Sequence, residues 1–272
     1  MSNWEWMYQQ NAKRRRQSEI QLRMQMEQQN IQNFLLLNNE TMSYMPTGDV
    51  SGSYEFDMYN SIVKASQNES LPLTGFSFSS SDDFCVEWFQ YHIDLEPTPR
   101  PTAFSIDELS AFGVSFESNL LNLWISNGVT PILQVSFPEE EYTDKWMHIA
   151  IIRKDGVIYV YKNGIKVYYV VDTTPQSEGF LPLTIGSSEF DKDNTLFQGR
   201  ITNFRYVTGN SVYDGGDTIQ YPTSPIQDIL GAKLILNATF VNPYKDSSSY
   251  NRQILGSAVR SNESPFPFNP EI

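Results

Sequence analysis

Paired carboxylates are the first residues to consider, because two of them flanking a glycosidic bond could hydrolyse it. Glu139–Glu141 are consecutive and follow Pro138, so their side chains point in different directions from a predicted loop. Glu87 and Asp94 are seven residues apart, and an odd separation places two residues on opposite faces of a strand. The sequence therefore offers no carboxylate pair on one strand at a spacing suited to hydrolysis, and a pair brought together from two distant strands stays open.

Nucleophilic and phosphate-binding patterns are also missing. The sequence contains no G-x-S-x-G motif and no glycine-rich phosphate loop. Its two histidines, His92 and His148, exclude a histidine-rich metal site, and its single cysteine, Cys85, excludes an internal disulfide. Cys85 alternates inside a predicted strand, which is typical of an inert buried thiol. We therefore expect a protein without enzymatic activity.

An acidic run near residue 191 is the one candidate for metal binding. Asp191, Asp193 and Asn194 supply the hard oxygen ligands that calcium prefers. The run lacks the glycine and the distal glutamate of an EF-hand loop. A solvated acidic turn explains the same residues, so calcium binding is one of two open interpretations.

Exposed tyrosines could recognise a ligand without any catalysis. Tyr142, Tyr213, Tyr221 and Tyr250 fall in predicted loops, where tyrosine is a common recognition residue. Tyr168 and Tyr169 are neighbours in a predicted strand, so one of the two must face outward. Each tyrosine could instead cover the core. As a set they predict a glycan-binding site without locating it.

The composition limits what can position these residues. The chain has 272 residues, of which 14% are aromatic, and this excludes a wholly disordered protein. The net charge of -13 argues against a general nucleic-acid surface. No apolar run approaches the roughly 18 residues that span a bilayer. No secretory signal pattern is present, so we expect synthesis in the cytoplasm.

The charge divides unevenly along the chain. Residues 1–45 hold five basic and four acidic residues, a net +1, whereas residues 46–272 hold 14 basic and 28 acidic residues, a net -14. We therefore expect an N-terminal arm, residues 1–45, followed by one large acidic domain, residues 46–272.

The arm is predicted to be an α-helix, because residues 12–38 contain no glycine or proline and nearly all of them favour or tolerate helix. Its apolar residues recur at near-heptad steps, behind an aromatic and basic start. We interpret the arm as an anchor that docks into a larger assembly; a helix packed on its own domain is the alternative. The anchor residues would be Trp4, Trp6, Tyr8, Arg14, Arg15, Arg16, Ile20, Met24, Ile31 and Phe34.

The apolar pattern changes to a period of two after residue 46. Asp83–Ile93 alternates with apolar residues on both faces, as in the central strand of a sandwich. Asn163-Gly164 separates two such runs and predicts a tight hairpin. About a dozen short strands, with no convincing helix after residue 45, predict an all-β sandwich.

The order of these strands resembles the concanavalin A-like lectin/glucanase superfamily, in its laminin G-like and pentraxin-like branch. The resemblance implies a jelly roll with two antiparallel sheets, a concave face and variable rim loops that often hold calcium. Catalytic members carry E-x-D-x-x-E on one strand face, and this sequence lacks that array. The stretches that match are Gly52–Ala65, Asp82–Tyr91, Trp146–Lys166, Leu183–Ser187 and Phe197–Val207.

The C-terminal third is similar to repeats in tail-fibre and virion proteins of aquatic viruses. The similar stretches are Gly199–Tyr213, Pro222–Pro225, Lys245–Ser248 and Ser264–Phe266. This similarity implies a non-catalytic module for adhesion or particle structure.

These observations together predict a non-enzymatic virion protein whose lectin-like domain is displayed on a virus particle. The arm would bind other virion proteins, the domain would bind host-surface glycans, and no cofactor except calcium is implied. A purely structural capsid or tail component without glycan binding is the first alternative. A glycoside hydrolase of the same fold is the second.

Overall fold

The structure is a computed structural model that describes much of the predicted β domain. The described residues are 52–56, 62–65, 76–93, 100–106, 112–117, 119–125, 131–137, 143–175, 182–188, 192–239, 242–261 and 263–266. The arm, with all of its predicted anchor residues, and the predicted boundary before residue 46 lie outside this part of the chain.

Fifteen strands and one single-turn helix form within the described residues, and no helix among them could cross a membrane. They are β1 (Ser53–Phe56), β2 (Val63–Ala65), β3 (Phe84–His92), β4 (Thr102–Ile106), β5 (Phe112–Glu117), β6 (Leu120–Trp124), β7 (Leu133–Ser136), β8 (Trp146–Lys154), β9 (Val157–Lys162), β10 (Ile165–Val171), β11 (Leu183–Ile185), α1 (Lys192–Thr195), β12 (Gly199–Thr208), β13 (Ala232–Leu236), β14 (Ile254–Gly256) and β15 (Val259–Ser261).

The strands form two sheets in which every pair is antiparallel. The larger sheet has the order β10-β9-β8-β3-β12-β1-β15, and the smaller has the order β14-β2-β11-β4-β5-β6-β7. Strand β12 pairs with β3 along one edge, while β1 and β13 share its other edge. The predicted all-β jelly-roll sandwich of two antiparallel sheets is confirmed.

The core between the sheets explains much of the aromatic content. Alternation along β3 turns Phe84, Val86 and Trp88 inward, and all three are fully buried. The Trp88 ring contacts Phe104 of the smaller sheet edge to face, at 5.7 Å between centroids. Its indole N–H donates to Gln90 Oε1 at 2.9 Å, so this buried donor is satisfied.

A second apolar cluster lies on the outer face of the larger sheet. It forms where residues 209–231, which connect β12 to β13 and which we call the cover segment, pack against that face. The cover segment contributes Val212, Tyr213, Ile219, Ile226 and Ile229 to the cluster. Part of the outer face is therefore occupied by the chain itself.

The one helical element among the described residues of the β domain, α1, is a single polar turn of four residues. It leaves the all-β class unchanged, and it carries no apolar period that a sequence pattern could reveal. Near residue 257 the chain divides between two strands: β14, which pairs with β2, and β15, which pairs with β1. The chain crosses from one sheet to the other between Gly256 and Val259, and buried Ala258 fills the core there.

Candidate functional site

A buried carboxylate lies at the centre of the outer face of the larger sheet. Arg205 of β12 stands opposite Glu87 of β3, and its Nε donates to Glu87 Oε1 at 2.8 Å, with Nη2 on the same oxygen. His148 Nε2 of β8 lies 2.9 Å from Glu87 Oε2, and the Tyr213 hydroxyl donates to Oε2 at 2.8 Å. We call these four residues the Glu87 network.

The electrostatics of the Glu87 network oppose acid–base chemistry. Burial disfavours ionisation of Glu87, but the hydrogen bond from His148 and the charge of Arg205 more than offset it, so the pKa of Glu87 lies below its ordinary value. Burial and the charge of Glu87 raise the pKa of the Tyr213 hydroxyl and of the Cys85 thiol. The carboxylate is held ionised and already bound by donors, which suits a structural link.

The cover segment also blocks access to this network. Ile226 is fixed at both backbone groups: its N–H donates to Asn203 Oδ1 at 3.0 Å, and its carbonyl accepts from Asn237 Nδ2 at 2.8 Å. The Tyr161 hydroxyl donates to the Gly216 carbonyl at 2.8 Å. The Tyr221 ring then stacks on His148 with 5.2 Å between centroids. A ligand would have to displace this segment to reach Glu87.

The three central strands of the larger sheet, all fully described, carry no catalytic pair. Glu87 is the single carboxylate on β3, β8 and β12, and it is fully buried. A retaining glycosidase needs two carboxyl groups about 5–5.5 Å apart. These three strands therefore do not carry two carboxylates at that separation.

A pair of tyrosines, one exposed and one half-buried, lies on the same face, at the edge of the sheet. Tyr159 of β9 and Tyr169 of β10 stand opposite each other, with 6.4 Å between ring centroids and 30° between ring planes. Tyr169 is 63% exposed. Lys166 Nζ lies 5.5 Å and 5.9 Å from the two centroids and binds Asp217 Oδ1 at 2.7 Å. We call these four residues the tyrosine platform.

Local backbone geometry decides which tyrosine joins the platform. Asn163 and Gly164 both have positive φ angles, 47° and 78°, as the tight turn between β9 and β10 requires. A β-bulge then shifts the register between Lys166 and Tyr168. Tyr169 consequently faces Tyr159, whereas Tyr168 stands opposite Val160 and points to the other face.

The predicted tyrosines are distributed as follows. Tyr213 lies in the Glu87 network, and Tyr221 stacks on His148 of the same network. The structure therefore brings these two residues of the cover segment together over the outer face. Tyr250 is 39% exposed and lies beside Lys233 and Arg252. Tyr142 lies outside the described residues. Their role in glycan binding remains a prediction.

Of the tyrosine platform, the sequence indicated Tyr169, as one of two candidates for an outward-facing ring, but not Tyr159, Lys166 or Asp217. The Asn163-Gly164 hairpin pairs two tyrosine-containing strands, and this signal could have revealed Tyr159 together with Tyr168 or Tyr169. Asp217 gave no signal, because it comes from the cover segment and reaches Lys166 through tertiary packing.

The predicted calcium ligands lie around α1. Asp191 is outside the described residues, as is the side chain of Asp193. Asn194 is exposed, and its carbonyl accepts a hydrogen bond from the N–H of Arg100 at 3.0 Å. Across the described residues, no group of three or more His, Cys, Asp and Glu side chains is placed to hold a metal ion. Calcium binding by the acidic run remains a prediction.

The comparison with protein families agrees with this fold. The sequence profile of a laminin G family in the concanavalin A-like lectin/glucanases superfamily matches residues 65–209. The match covers more than half of the chain, so the protein belongs to this superfamily. The superfamily resemblance seen in the sequence is thereby confirmed. Among curated proteins, no sequence matches the chain.

Solved structures resemble this chain at low sequence identity, and one of them has a TM-score above 0.5. A candidate carbohydrate-binding protein from Bacteroides ovatus ATCC 8483 has a TM-score of 0.54 and 15% identity, and the match covers 82% of this chain. The chain spans 63% of the length of that protein. Domains LG4-5 of the mouse laminin α1 chain have a TM-score of 0.41 and 14% identity, with 59% of this chain and 41% of that chain covered.

Proposed function

We propose that this protein is a non-catalytic, lectin-like domain that binds glycans through the tyrosine platform. The observation that carries the proposal is the pairing of exposed Tyr169 with Tyr159 on one face, beside the charged groups of Lys166 and Asp217. The description of the Bacteroides ovatus protein as a candidate carbohydrate-binding protein agrees with it.

The chemistry of the platform suits a sugar. The C–H face of a pyranose packs against an aromatic ring, while its hydroxyl groups bind to polar atoms at the ring edges. Tyrosine supplies this apolar area at a low cost in conformational entropy, because it has only two side-chain torsions. Lys166 and Asp217 supply a donor and an acceptor next to the two rings.

The carboxylate of the platform is poorly suited to catalysis. A glycosidase requires one carboxylic acid that stays protonated until it donates to the leaving group. The hydrogen bond and the charge of Lys166 lower the pKa of Asp217 instead, so this group is ionised at neutral pH. We therefore propose binding without hydrolysis.

We place the domain on a virus particle, with residues 1–45 as its anchor. This proposal of a location rests on the similarity of the C-terminal third to virion repeats and on the aromatic and basic residues at the start of the arm. Deletion of residues 1–45 is expected to leave glycan binding intact and to prevent incorporation into particles. Incorporation without the arm would contradict the anchor.

Two neighbouring tyrosines provide the test of glycan binding. The full chain would be screened on a glycan array with and without calcium, and the affinity for the best ligand measured for Tyr169→Ala and Tyr168→Ala. We expect at least a tenfold loss for Tyr169→Ala and less than a twofold change for Tyr168→Ala, whose ring lies on the other face.

Equal losses in the two variants, or no ligand for the wild-type protein, would contradict the platform. The second result would favour a purely structural role. A reducing-sugar assay on the bound glycan should show no cleavage.

A further inference from the structure

One stretch of this acidic protein, residues 231–253, has a net positive charge, and we call it the basic corner. Residues 231–253 contain Lys233, Lys245 and Arg252 but one acidic residue, Asp246, a net +2 in a chain of -13. Positive charge so concentrated in an acidic molecule raises the local concentration of anions. The corner shares no residue with the tyrosine platform.

A tyrosine ring organises two of these cations. Lys233 Nζ lies 2.5 Å from the Tyr250 hydroxyl and 4.6 Å from its ring centroid. Arg252 Cζ lies 5.0 Å from the same centroid and 4.5 Å from that of Phe76. The Arg252 guanidinium is thus fixed against two rings, and its Nε donates to the Lys233 carbonyl at 2.8 Å.

Arg252 is buried although it carries charge. Arg252 is 6% exposed. Burial lowers the pKa of its guanidinium, and the nearby charge of Asp246 partly opposes this lowering. A buried charge is costly unless an opposite charge or hydrogen bonds compensate for it. Within the described residues, neither Lys233 nor Arg252 forms an ion pair.

The local acidic group is already bound elsewhere. Asp246 Oδ1 accepts from the N–H groups of Ile235 at 3.1 Å and of Ser248 at 2.9 Å. Its Oδ2 accepts from the Ser248 hydroxyl at 2.8 Å and from the N–H of Arg252 at 2.9 Å. Asp246 therefore holds the loop backbone, and it acts on Arg252 through its nearby charge without forming an ion pair with either cationic side chain.

We infer that Lys233, Tyr250 and Arg252 form a binding site for the anionic group of an acidic saccharide. The carboxylate of a uronic acid and a sulfate ester share the required chemistry, which is a compact negative charge with several acceptor oxygens. The saccharide part of this inference rests on the proposed function, whereas the anion part rests on the two cations alone.

Two lysines of the same corner allow a matched test. The full chain, Lys233→Gln and Lys245→Gln would be titrated with a sulfated disaccharide, a uronic-acid disaccharide, their neutral counterpart and inorganic sulfate. Both variants lose one positive charge, but exposed Lys245 makes no contact with the Tyr250 ring among the described contacts. Thermal unfolding would show that both variants remain folded.

We expect the wild-type protein to bind at least one acidic disaccharide ten times more tightly than the neutral one. Lys233→Gln should remove this preference, and Lys245→Gln should keep it within twofold. Equal losses in both variants, or no preference for acidic ligands, would overturn the saccharide site. Sulfate binding that depends on Lys233, without any saccharide binding, would support the anion site and contradict the glycan-binding function.

Discussion

Tyr213 and Glu87 are 126 residues apart in the sequence, yet the Tyr213 hydroxyl donates a hydrogen bond of 2.8 Å to the Glu87 carboxylate. This contact joins the cover segment to β3 at the centre of the larger sheet. Because the carboxylate is ionised and buried, the hydrogen bond is charge-assisted and stronger than a neutral one. It is therefore a principal link between the cover segment and the sandwich.

Removal of the Tyr213 hydroxyl should destabilise the protein. In Tyr213→Phe the ring remains, while Glu87 loses one of its buried donors, so we expect the free energy of unfolding to fall by about 1–3 kcal/mol. Tyr221→Phe is the control, since Tyr221 is 36% exposed and contacts His148 through its ring. Urea unfolding would measure both variants, and equal effects would contradict the role given to the Tyr213 hydroxyl.

Neutralisation of Glu87 should have a larger effect. Glu87→Gln leaves the Arg205 charge in a buried site without its carboxylate, and such a loss costs about 3–5 kcal/mol. Glu55→Gln is a matched control on the same sheet, because Arg200 keeps a second carboxylate, Glu263, at 3.0 Å. A change below about 1 kcal/mol is expected there. Similar unfolding midpoints for both variants would rule out a stabilising Glu87 network.

The lowered pKa of Glu87 predicts that the protein loses stability in acid. The pKa of Glu87 is lower in the folded protein than its ordinary value of 4.5, so the unfolded chain takes up the proton first. The contribution of Glu87 is therefore complete above that value and is lost as the pH falls through the folded pKa. The difference in unfolding free energy between wild type and Glu87→Gln should shrink from pH 7 to pH 3. A difference independent of pH would refute this assignment.

Alanine substitutions at two glycines with nearly the same φ angle would separate the cost of backbone strain from the cost of a steric clash. Gly164 and Gly209 have φ angles of 78° and 77°, so alanine costs about 1–2 kcal/mol at either position. A Cβ at Gly209 would meet nothing within 4 Å, whereas one at Gly164 would lie 2.6 Å from the Ile219 carbonyl oxygen. We expect Gly164→Ala to be less stable than Gly209→Ala by about another 1–3 kcal/mol. Equal shifts in the melting temperatures of the two variants would contradict this, because they would show that the cover segment moves away from the added Cβ without cost.

Local patterns predicted the sandwich well, because alternation and turn residues act over short distances. The run around Trp88 and the Asn163-Gly164 turn each specify a strand or hairpin from neighbouring residues alone. The bulge after Lys166 is different, since nothing in the local pattern shows that Tyr169, rather than Tyr168, will oppose Tyr159. A shift of one residue reverses which face a side chain occupies.

The Glu87 network and the Lys233–Tyr250 pair depend on contacts between distant segments, which local sequence patterns do not predict. Tyr213 looked like an exposed loop residue, but the cover segment folds back and places its hydroxyl on Glu87. Lys233 and Tyr250 are likewise brought together by the connection between β13 and β14. Such pairings between distant segments follow from tertiary packing, so neither site could be assembled from spacing alone.

The position of β1 has a consequence for synthesis on the ribosome. Tyr54 pairs with Ile201 and Ser53 with Ser261, so the partners of the first described strand come 147 and 208 residues later in the sequence. At translation rates of roughly 5–20 residues per second, β1 emerges several seconds to about half a minute before β12. Tyr54 and Phe56, both buried in the folded protein, cannot reach their native partners during that interval. The larger sheet can therefore be completed only after β15 has been synthesised. Until then, Tyr54 and Phe56 must be kept from non-native contacts.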